Sequence, residues 1–280
     1  MDKVLLGIDL GASNIRTGRV IAGKIIDSDT RKLPVCKDYQ KVLDTIFASI
    51  DRIFNPSISA IGIGVPSIVD TKNGVVYDVK NIPSWQEVHL KEIIEARYRL
   101  PTFINNDANC FALGEFLFGK GRGYQNFVGL AIGTGIGGGI IHEGRLLSTY
   151  SCGSGEFGEI PYMGAKYENY CSGIFFTKTH NSNGEEIFAK AASGGARALL
   201  IANQFGKHLG NLIKTIICSI APDAIIIGGS IAKAHLYYHG ALMEVLKTLP
   251  YQRIAQNTKI EYTANDNIQI LGAAALCLNN

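Results

Sequence analysis

Apolar and polar residues alternate along the chain with two periods, one typical of strands and one typical of helices. Short apolar runs bounded by glycine, proline or polar residues predict buried strands, and apolar residues three or four positions apart predict amphipathic helices. The predicted strands cover residues 3–10, 14–20, 60–65, 102–104, 127–132, 138–142 and 224–227, with a further strand after the Ala22-Gly23 turn. The predicted helices cover residues 42–54, 106–116, 196–219, 236–246 and 270–278.

Strands and helices follow one another in a similar order in the two halves of the chain. Each half opens on a strand, a glycine turn and a second strand, so a duplicated unit is one explanation and chance in a chain with 32 glycines is the other. The corresponding glycines are Gly7, Gly11 and Gly23 in the first half and Gly129, Gly133 and Gly144 in the second. The alternation of strands and helices predicts a layered α/β architecture.

The composition is that of a globular protein with room for two domains. Of the 280 residues, 46% are hydrophobic and 18% are charged, which argues against a disordered chain. The net charge of +3 includes no run of Lys or Arg, so we expect no nucleic-acid partner. The apolar segments are shorter than the roughly 18 residues of a membrane span, and the first residues do not predict a secretory leader. We therefore expect a cytoplasmic protein that acts on small molecules and contacts no membrane.

The first candidate for phosphate binding is the turn at residues 9–14. Asp9 lies at the end region of the predicted strand 3–10, where its carboxylate could hold Mg²⁺, most simply through water. The small residues that follow could point their backbone amides at a phosphate; they are Gly11, Ala12, Ser13 and Asn14. A plain hairpin turn explains the segment equally well.

A second glycine-rich turn, at residues 133–139, also follows a predicted strand. We favour a phosphate cradle over a plain loop because this glycine density exposes backbone amides without side-chain obstruction. The residues expected to contact phosphate are Gly133, Thr134, Gly135 and Gly137. Residues 140–142 have the pattern of a strand rather than of a helix, which argues against a dinucleotide fingerprint.

A third pair of small residues, Gly228-Gly229, follows the predicted strand at residues 224–227. Such a turn would let a flat adenine or a ribose approach the backbone. A close-packed turn between a strand and a helix explains it nearly as well.

Polar residues at 105–109 separate a predicted strand from a predicted helix. One Asn or Asp would cap the helix, but this segment has four such residues. Phosphoryl transfer to a sugar hydroxyl needs a carboxylate that accepts the hydroxyl proton. Asp107 is well placed for this role.

The last candidate cluster is acidic and glycine-rich, and it covers residues 153–161 and 168–173. Carboxylates held on such turns could accept hydrogen bonds from several sugar hydroxyls at once. A solvated loop is the alternative, and for Glu159 alone that alternative, or an ion pair with Lys166, is favoured.

Taken in order, these segments resemble the ROK family of sugar kinases and repressors over nearly the whole chain. The matching segments are residues 9–14, 64–66, 106–109, 133–138 and 155–158, Glu168, Ser172-Gly173 and Gly228-Gly229. The resemblance implies an α/β fold of two ribonuclease-H-like domains of the actin-like ATPase, hexokinase type, with ATP and a hexose in the cleft. We place these domains at residues 1–105 and 106–280, with the helix at about 270–280 packing back on the first.

The resemblance also implies roles for individual residues. Asp107 is the expected general base, and ATP and Mg²⁺ are the expected cofactors. The residues expected to bind the sugar are Asn106, Glu156, Glu159, Glu168, Pro66 and Ser67. The substrate is a hexose or an N-acetylhexosamine with its 6-OH as acceptor, and the protein is expected to be a homodimer.

This chain departs from the family pattern at two places. Glu159 stands where the family usually has His, and the Cys-rich zinc loop before Glu168 is shortened to residues 164–167. The six cysteines are scattered singly, and Cys152 and Cys171 do not form a four-ligand site. We therefore predict no structural zinc, and Glu159 becomes a candidate for selecting the sugar.

Two other functions are compatible with the resemblance. Family repressors carry a DNA-binding segment before the first phosphate turn. In this sequence that turn begins at Asp9, so we expect no such segment before it, and the sequence disfavours a repressor. A catalytically weak, sugar-sensing protein is the alternative to the kinase. The sequence leaves open which sugar is bound and whether polyphosphate also serves as a donor.

Overall fold

The computed structural model describes residues 3–11, 13–34, 38–80, 82–147, 149 and 151–278. The chain forms two compact units. The first comprises Met1–Arg122, Leu146–Ser154 and Asp266–Asn280, and the second comprises Gly123–Arg145 and Gly155–Asn265. Among the described residues, no helix is long and apolar enough to cross a membrane.

The first unit opens with a five-stranded sheet and three helices. Its strands are β1 (Val4–Leu10), β2 (Asn14–Ile21), β3 (Lys24–Lys32), β4 (Ile58–Val65), β5 (Ile68–Asp70), β6 (Val75–Tyr77), β7 (Glu87–Val88) and β8 (Thr102–Asn106), and its helices are α1 (Tyr39–Ile53), α2 (Leu90–Tyr98) and α3 (Asp107–Phe118). The main sheet has the order β3-β2-β1-β4-β8, and β5, β6 and β7 form a small separate sheet. Strands β1 and β2 are antiparallel, whereas β1, β4 and β8 are parallel.

The second unit repeats this sheet order. Its strands are β9 (Phe127–Ile132), β10 (Ile136–His142), β11 (Arg145–Leu146), β12 (Pro161–Tyr162), β13 (Ala165–Lys166), β14 (Ala224–Gly228) and β15 (Lys259–Tyr262). Its helices are α4 (Tyr167–Cys171), α5 (Gly173–His180), α6 (Gly184–Ala192), α7 (Ala196–Ile220), α8 (His239–Leu246) and α9 (Gln252–Asn257). The sheet has the order β11-β10-β9-β14-β15, in which β9 and β10 are antiparallel and β9, β14 and β15 are parallel. The shared order supports the duplication that the glycine positions suggest.

The last helix, α10 (Ile268–Ala275), packs in the first unit against β1, β4 and α3. The contact is so close that glycine is required on both sides. A Cβ atom on Gly62 of β4 would lie 1.8 Å from the carbonyl oxygen of Ala273. A Cβ atom on Gly272 would lie 1.7 Å from the carbonyl oxygen of Cys110, which belongs to α3. Helix α10 therefore fixes the position of α3 in the first unit.

Apolar side chains on the inner faces of the sheets and helices form a separate core in each unit. In the second unit, Phe175, Phe176 and Phe205 are fully buried and pack with ring centroids 5.1–5.9 Å apart. Burial of one such ring contributes about 1.5–3 kcal/mol. In the first unit the single tryptophan, Trp85, is completely buried.

Most predicted elements are present with ends shifted by a few residues. The helix predicted at residues 236–246 is wrong in its first part, because Ser230–Tyr237 forms a 3-10 helix with a non-helical break at Ala234 and α8 begins at His239. The prediction missed several short elements, including the hairpins at β5 to β7. The predicted domain division at residues 105 and 106 remains a prediction, although β8 and α3 on either side of it belong to the same compact unit.

Candidate active site

The carboxyl ends of three parallel strands bring the first group of predicted site residues together in the first unit. Asp9 on β1 pairs in register with Gly64 on β4, and Gly64 pairs with Asn105 on β8. Because parallel strands end at the same edge of a sheet, the residues that follow them share that edge. They are Pro66 and Ser67 after β4, and Asn106 and Asp107 at the junction of β8 and α3.

Asp9 forms an ion pair that the sequence did not predict. Its Oδ2 atom accepts hydrogen bonds from Arg16 Nη2 at 2.6 Å and from Arg16 Nε at 3.0 Å. Another Arg16 nitrogen, Nη1, donates to the carbonyl oxygen of Asp266. Burial raises the pKa of Asp9, and the Arg16 guanidinium offsets part of that rise. Desolvation is therefore the larger effect on this carboxyl group.

We expect Arg16→Met to impair an activity that requires the ionised form of Asp9. The pKa of Asp9 should rise further once desolvation is unopposed, so the acid limb of the pH profile of kcat/KM should move to higher pH. Loss of the hydrogen bonds from Arg16 to the Asp9 carboxylate, each worth roughly 1.5–3 kcal/mol, should also lower the melting temperature. Arg31→Met removes a comparable pair, in which Arg31 Nε lies 2.7 Å from Asp29 Oδ2, and serves as the control. Superimposable pH profiles for wild type and Arg16→Met would contradict the role of this pair.

The turn after Asp9 is closed by its own backbone. The Gly11 amide donates to the carbonyl oxygen of Asn14 at 2.9 Å, and the Ser13 carbonyl accepts from the Leu33 amide at 2.9 Å. Gly11 is half-buried, whereas Ser13 and Asn14 are exposed. Ala12, also predicted to bind phosphate, lies outside the described residues. The phosphate-binding role of this turn remains a prediction.

At the start of α3, Asn106 caps the helix and Asp107 lies in its first turn. Asn106 is the helix cap, because its side-chain oxygen accepts from the amides of Ala108 at 2.9 Å and Asn109 at 3.4 Å. Its side-chain amide donates to the carbonyl oxygen of Ser67 at 3.1 Å. Asp107 is half-buried in the first turn, where the helix dipole stabilises a carboxylate. The cap explanation thus applies to Asn106, and the catalytic role of Asp107 remains a prediction.

Asn105 and Cys152 stabilise the junction of β8 and α3 through buried hydrogen bonds. Asn105 Oδ1 accepts from Asn109 Nδ2 at 2.9 Å and from the Cys152 thiol at 3.1 Å. Burial raises the pKa of Cys152, which keeps the thiol protonated and able to donate. The Cys152 backbone has a φ of +54°, a left-handed conformation that costs a non-glycine residue about 1 kcal/mol. No sequence signal linked Cys152 to this site.

In the second unit, two of the predicted glycine turns lie at the same edge of the sheet. Ala131 on β9 pairs in register with Gly228 on β14, so Gly133 and Gly229 follow neighbouring strands. Gly229 has a φ of +85°, and a Cβ atom on it would lie 2.3 Å from the carbonyl oxygen of Ile132. Glycine is therefore required there for the close approach of the two strand ends.

The turn at Gly133 is tight. The Gly133 amide donates to the carbonyl oxygen of Gly135 at 3.0 Å, and Thr134 between them is exposed. Gly137 lies inside β10, where it pairs with Ala131. The hydroxyl of Thr134 is thus accessible to a ligand, whereas Gly137 is part of the sheet.

The acidic residues of the second unit occupy different surroundings. Glu156 is exposed and follows Gly155, whose φ of +96° places it against Gly138. Glu159 is exposed and pairs with Lys166 at 2.7 Å, as the sequence alternative anticipated. Glu168, in α4, is half-buried, and its Oε2 atom accepts from the Ile136 amide at 3.2 Å. Glu168 therefore contacts the strand that follows the glycine turn.

The described residues contain no group of three or more His, Cys, Asp or Glu side chains that could hold a metal ion. The prediction that the protein lacks structural zinc remains a prediction. Cys171 is fully buried in the apolar core of the second unit, where burial raises its pKa well above the usual value.

Comparisons with known proteins give the family and two relatives. A ROK family model matches residues 5–280. A glucokinase from Thermotoga maritima is 29% identical over 307 residues, covering 97% of this chain and 96% of that protein. An N-acetyl-D-glucosamine kinase from Photobacterium profundum is 29% identical over 283 residues, covering 91% of this chain and 92% of that protein.

The chain is also similar to a solved kinase structure and to a regulator. A ROK family glucokinase from Streptomyces griseus, in complex with glucose and AMPPNP, aligns with a TM-score of 0.81 over 98% of each chain, and its 23% identity bears on the fold alone. A xylose repressor from Caldicellulosiruptor bescii is 27% identical over 324 residues, covering 99% of this chain and 78% of that protein. The predicted α/β fold of the actin-like ATPase type is confirmed.

Proposed function

Because the chain belongs to the ROK family, we propose that it is a sugar kinase that transfers the γ-phosphoryl group of ATP to a hexose or an N-acetylhexosamine. The observation that carries this proposal is the position of Asp107. It lies half-buried in the first turn of α3, at the sheet edge where Asp9 lies near the end of β1. The glucokinase and N-acetyl-D-glucosamine kinase relatives support the reaction class.

Asp107 acts as the general base in this proposal. A sugar hydroxyl, for which we propose the 6-OH, becomes a better nucleophile as its proton passes to the Asp107 carboxylate, and the hydroxyl oxygen attacks the γ-phosphorus while ADP leaves. The Ala108 amide donates to Asp107 Oδ1 at 2.8 Å and fixes the direction of the carboxylate. The base is thereby oriented before substrate binds.

We propose that the remaining predicted residues bind either the sugar or the nucleotide. The residues proposed to bind sugar hydroxyls are Asn106, Glu156, Glu159, Glu168, Pro66 and Ser67. The residues proposed to bind phosphate are Gly11, Ala12, Ser13, Asn14, Gly133, Thr134, Gly135 and Gly137. Gly228 and Gly229 provide a flat surface for adenosine. Among the residues proposed for the sugar, Asn106 is held in place by its side-chain amide, which donates to the carbonyl oxygen of Ser67.

Asp9 has the chemistry that a magnesium site requires. Carboxylate oxygens and water are the usual ligands of Mg²⁺, and Asp9 lies at a strand end beside a turn proposed to bind phosphate. Both bonds from Arg16 fall on Oδ2, so we assign Oδ1 to the water shell of the ion. When bound, Mg²⁺ neutralises negative charge on the phosphates.

The proposal is tested by sugar-dependent release of ADP. Purified protein is incubated with Mg-ATP and a panel of hexoses and N-acetylhexosamines, and polyphosphate is tested as a second donor. The expected result is turnover above the sugar-free rate with at least one sugar. If no sugar raises ADP release while a sugar still shifts the melting temperature, the second candidate, a catalytically weak sugar sensor, is favoured. The xylose repressor relative is the observation that supports that candidate.

We also propose a homodimer that works in the cytoplasm, and a division into domains at residues 1–105 and 106–280. These proposals rest on the family. Light scattering of the purified protein measures the oligomeric state, and a mass of twice 30.3 kDa is expected.

A further inference from the structure

Lys166 joins two carboxylates of the second unit. Its Nζ atom lies 2.7 Å from Glu159 Oε1 and 3.1 Å from Glu168 Oε1. The bond to Glu159 is the largest cause of a raised pKa for Lys166, and Glu168 adds to it. Tyr162, on the strand β12 that pairs with the strand of Lys166, hydrogen-bonds to His208 at 3.2 Å. Burial lowers the pKa of His208 and raises that of Tyr162, so both are neutral at pH 7.

The other oxygen of Glu168 holds the end of a glycine turn. Glu168 Oε2 accepts from the Ile136 amide at 3.2 Å. It also lies so near Gly135 that a Cβ atom on that residue would be 2.5 Å away. Glu168 therefore bonds through one oxygen to Lys166 and through the other to the first residue of β10.

The same segment holds the start of the glycine turn. The Gly173 amide donates to the carbonyl oxygen of Gly133 at 2.7 Å. Ser172 Oγ donates to the carbonyl oxygen of Glu168 at 2.7 Å and accepts from the Ile174 amide at 3.2 Å. The segment from Glu168 to Gly173 thus contacts both ends of the turn at residues 133–135.

We propose that Lys166 is a positioning residue for phosphoryl transfer. By holding Glu168 in one rotamer, it keeps a proposed sugar ligand and a proposed phosphate turn in a fixed geometry within the second unit. Glu159 acts as the counterion that completes the bridge. The inference rests on the kinase proposal above and adds a residue to which the predicted site gives no role.

Removal of the Lys166 charge leaves two carboxylates that shared one cation. Their repulsion is relieved when one of them takes up a proton or rotates away. A rotated or protonated Glu168 holds the Ile136 amide less well. Sugar binding and nucleotide binding are then weakened together, although Lys166 contacts neither ligand in this scheme.

The test compares Lys166→Met with Lys247→Met. Lys247 forms an exposed pair with Glu244 at 2.6 Å, so the control makes the same chemical change at a surface pair in the same unit. Lys166→Met should lower kcat/KM for the sugar at least tenfold and raise KM for ATP severalfold. Lys247→Met should match wild type, and Lys166→Arg should recover most of the loss. Equal activity of Lys166→Met and Lys247→Met would overturn the proposal.

A double variant separates positioning from a general loss of structure. Lys166→Met combined with Glu159→Gln removes one of the two facing charges, while the Gln amide can still hydrogen-bond to a sugar hydroxyl, so the double variant should be more active than Lys166→Met alone. A fold that Lys166→Met had merely damaged would gain nothing from this second change. A double variant no more active than Lys166→Met contradicts the charge argument.

Stability as a function of pH tests the bridge without any assay of activity. In Lys166→Met the two ionised carboxylates repel each other without their shared cation, and acid conditions remove that repulsion, so stability is lost as pH rises. The deficit in melting temperature relative to Lys247→Met should therefore be larger at pH 8 than at pH 5. A deficit in melting temperature that does not change with pH would overturn the proposed bridge between Lys166 and the two carboxylates. If the deficit changes with pH as expected but the wild-type protein has no kinase activity, only the proposed function is overturned.

Discussion

Asp107→Asn is expected to lower kcat for sugar phosphorylation by about 10²–10⁴-fold, the usual contribution of a general base. An amide oxygen can still accept from Ala108, so the side chain keeps its direction and loses only its basicity. KM for the sugar should change little, because Asn can still hydrogen-bond to a hydroxyl. Steady-state kinetics on the preferred sugar, together with the melting temperature, provide the measurement.

A matched control for this change is Asp38→Asn. Asp38 caps α1 by accepting from the amides of Gln40 at 2.9 Å and Lys41 at 3.4 Å, and Asn caps a helix about as well as Asp. The control should match wild type in kcat and in melting temperature. If Asp107→Asn also retains the wild-type kcat, Asp107 is not the base.

Gly272→Ala is expected to give the largest loss of stability among single methyl additions. The new Cβ atom would lie 1.7 Å from the carbonyl oxygen of Cys110, so α10 must move away from α3. Overpacking of this kind costs roughly 1–3 kcal/mol, and the melting temperature should fall by several degrees. Activity should fall as well, because α3 carries Asp107 in its first turn.

The control for Gly272→Ala is Gly240→Ala in α8. Both glycines are helical, but no atom lies within 4 Å of the position that a Cβ atom would take on Gly240. Alanine favours the helix by about 0.5–1 kcal/mol over glycine, so this variant should be at least as stable as wild type. Equal melting temperatures for the two variants would show that α3 and α10 are not in the contact described above.

Buried strands were the part of the fold that the sequence predicted best. Residues 127–132 and 224–227 are continuous apolar runs because the strands they form, β9 and β14, lie in the centre of a sheet. The glycine correspondence between the halves is reflected in the shared strand order of the two sheets. Periodicity and turn residues were sufficient at these places because the local signal and the tertiary environment agree.

Short elements and long-range pairs could not be predicted in the same way. Strands β5 and β7 have three and two residues, too few to show a period of two. The non-helical break at Ala234 could not be predicted, because the segment Ser230–Tyr237 contains no proline or glycine. Arg16 and Cys152 are common surface or core residue types whose partners become visible only after the chain has folded. For Lys166 the sequence suggested Glu159 as a partner, but not Glu168. Sequence motifs therefore indicated where chemistry is expected, while the residues that orient it required the structure.

Phosphorylation of the sugar is measured most directly by ³¹P NMR of a reaction mixture of wild-type protein, Mg-ATP and the preferred sugar. We predict a new phosphomonoester resonance coupled to the C6 protons of the sugar, formed in equal amount to ADP and absent with Asp107→Asn. ADP accompanied by inorganic phosphate alone, or a phosphomonoester formed equally well by Asp107→Asn, would contradict it.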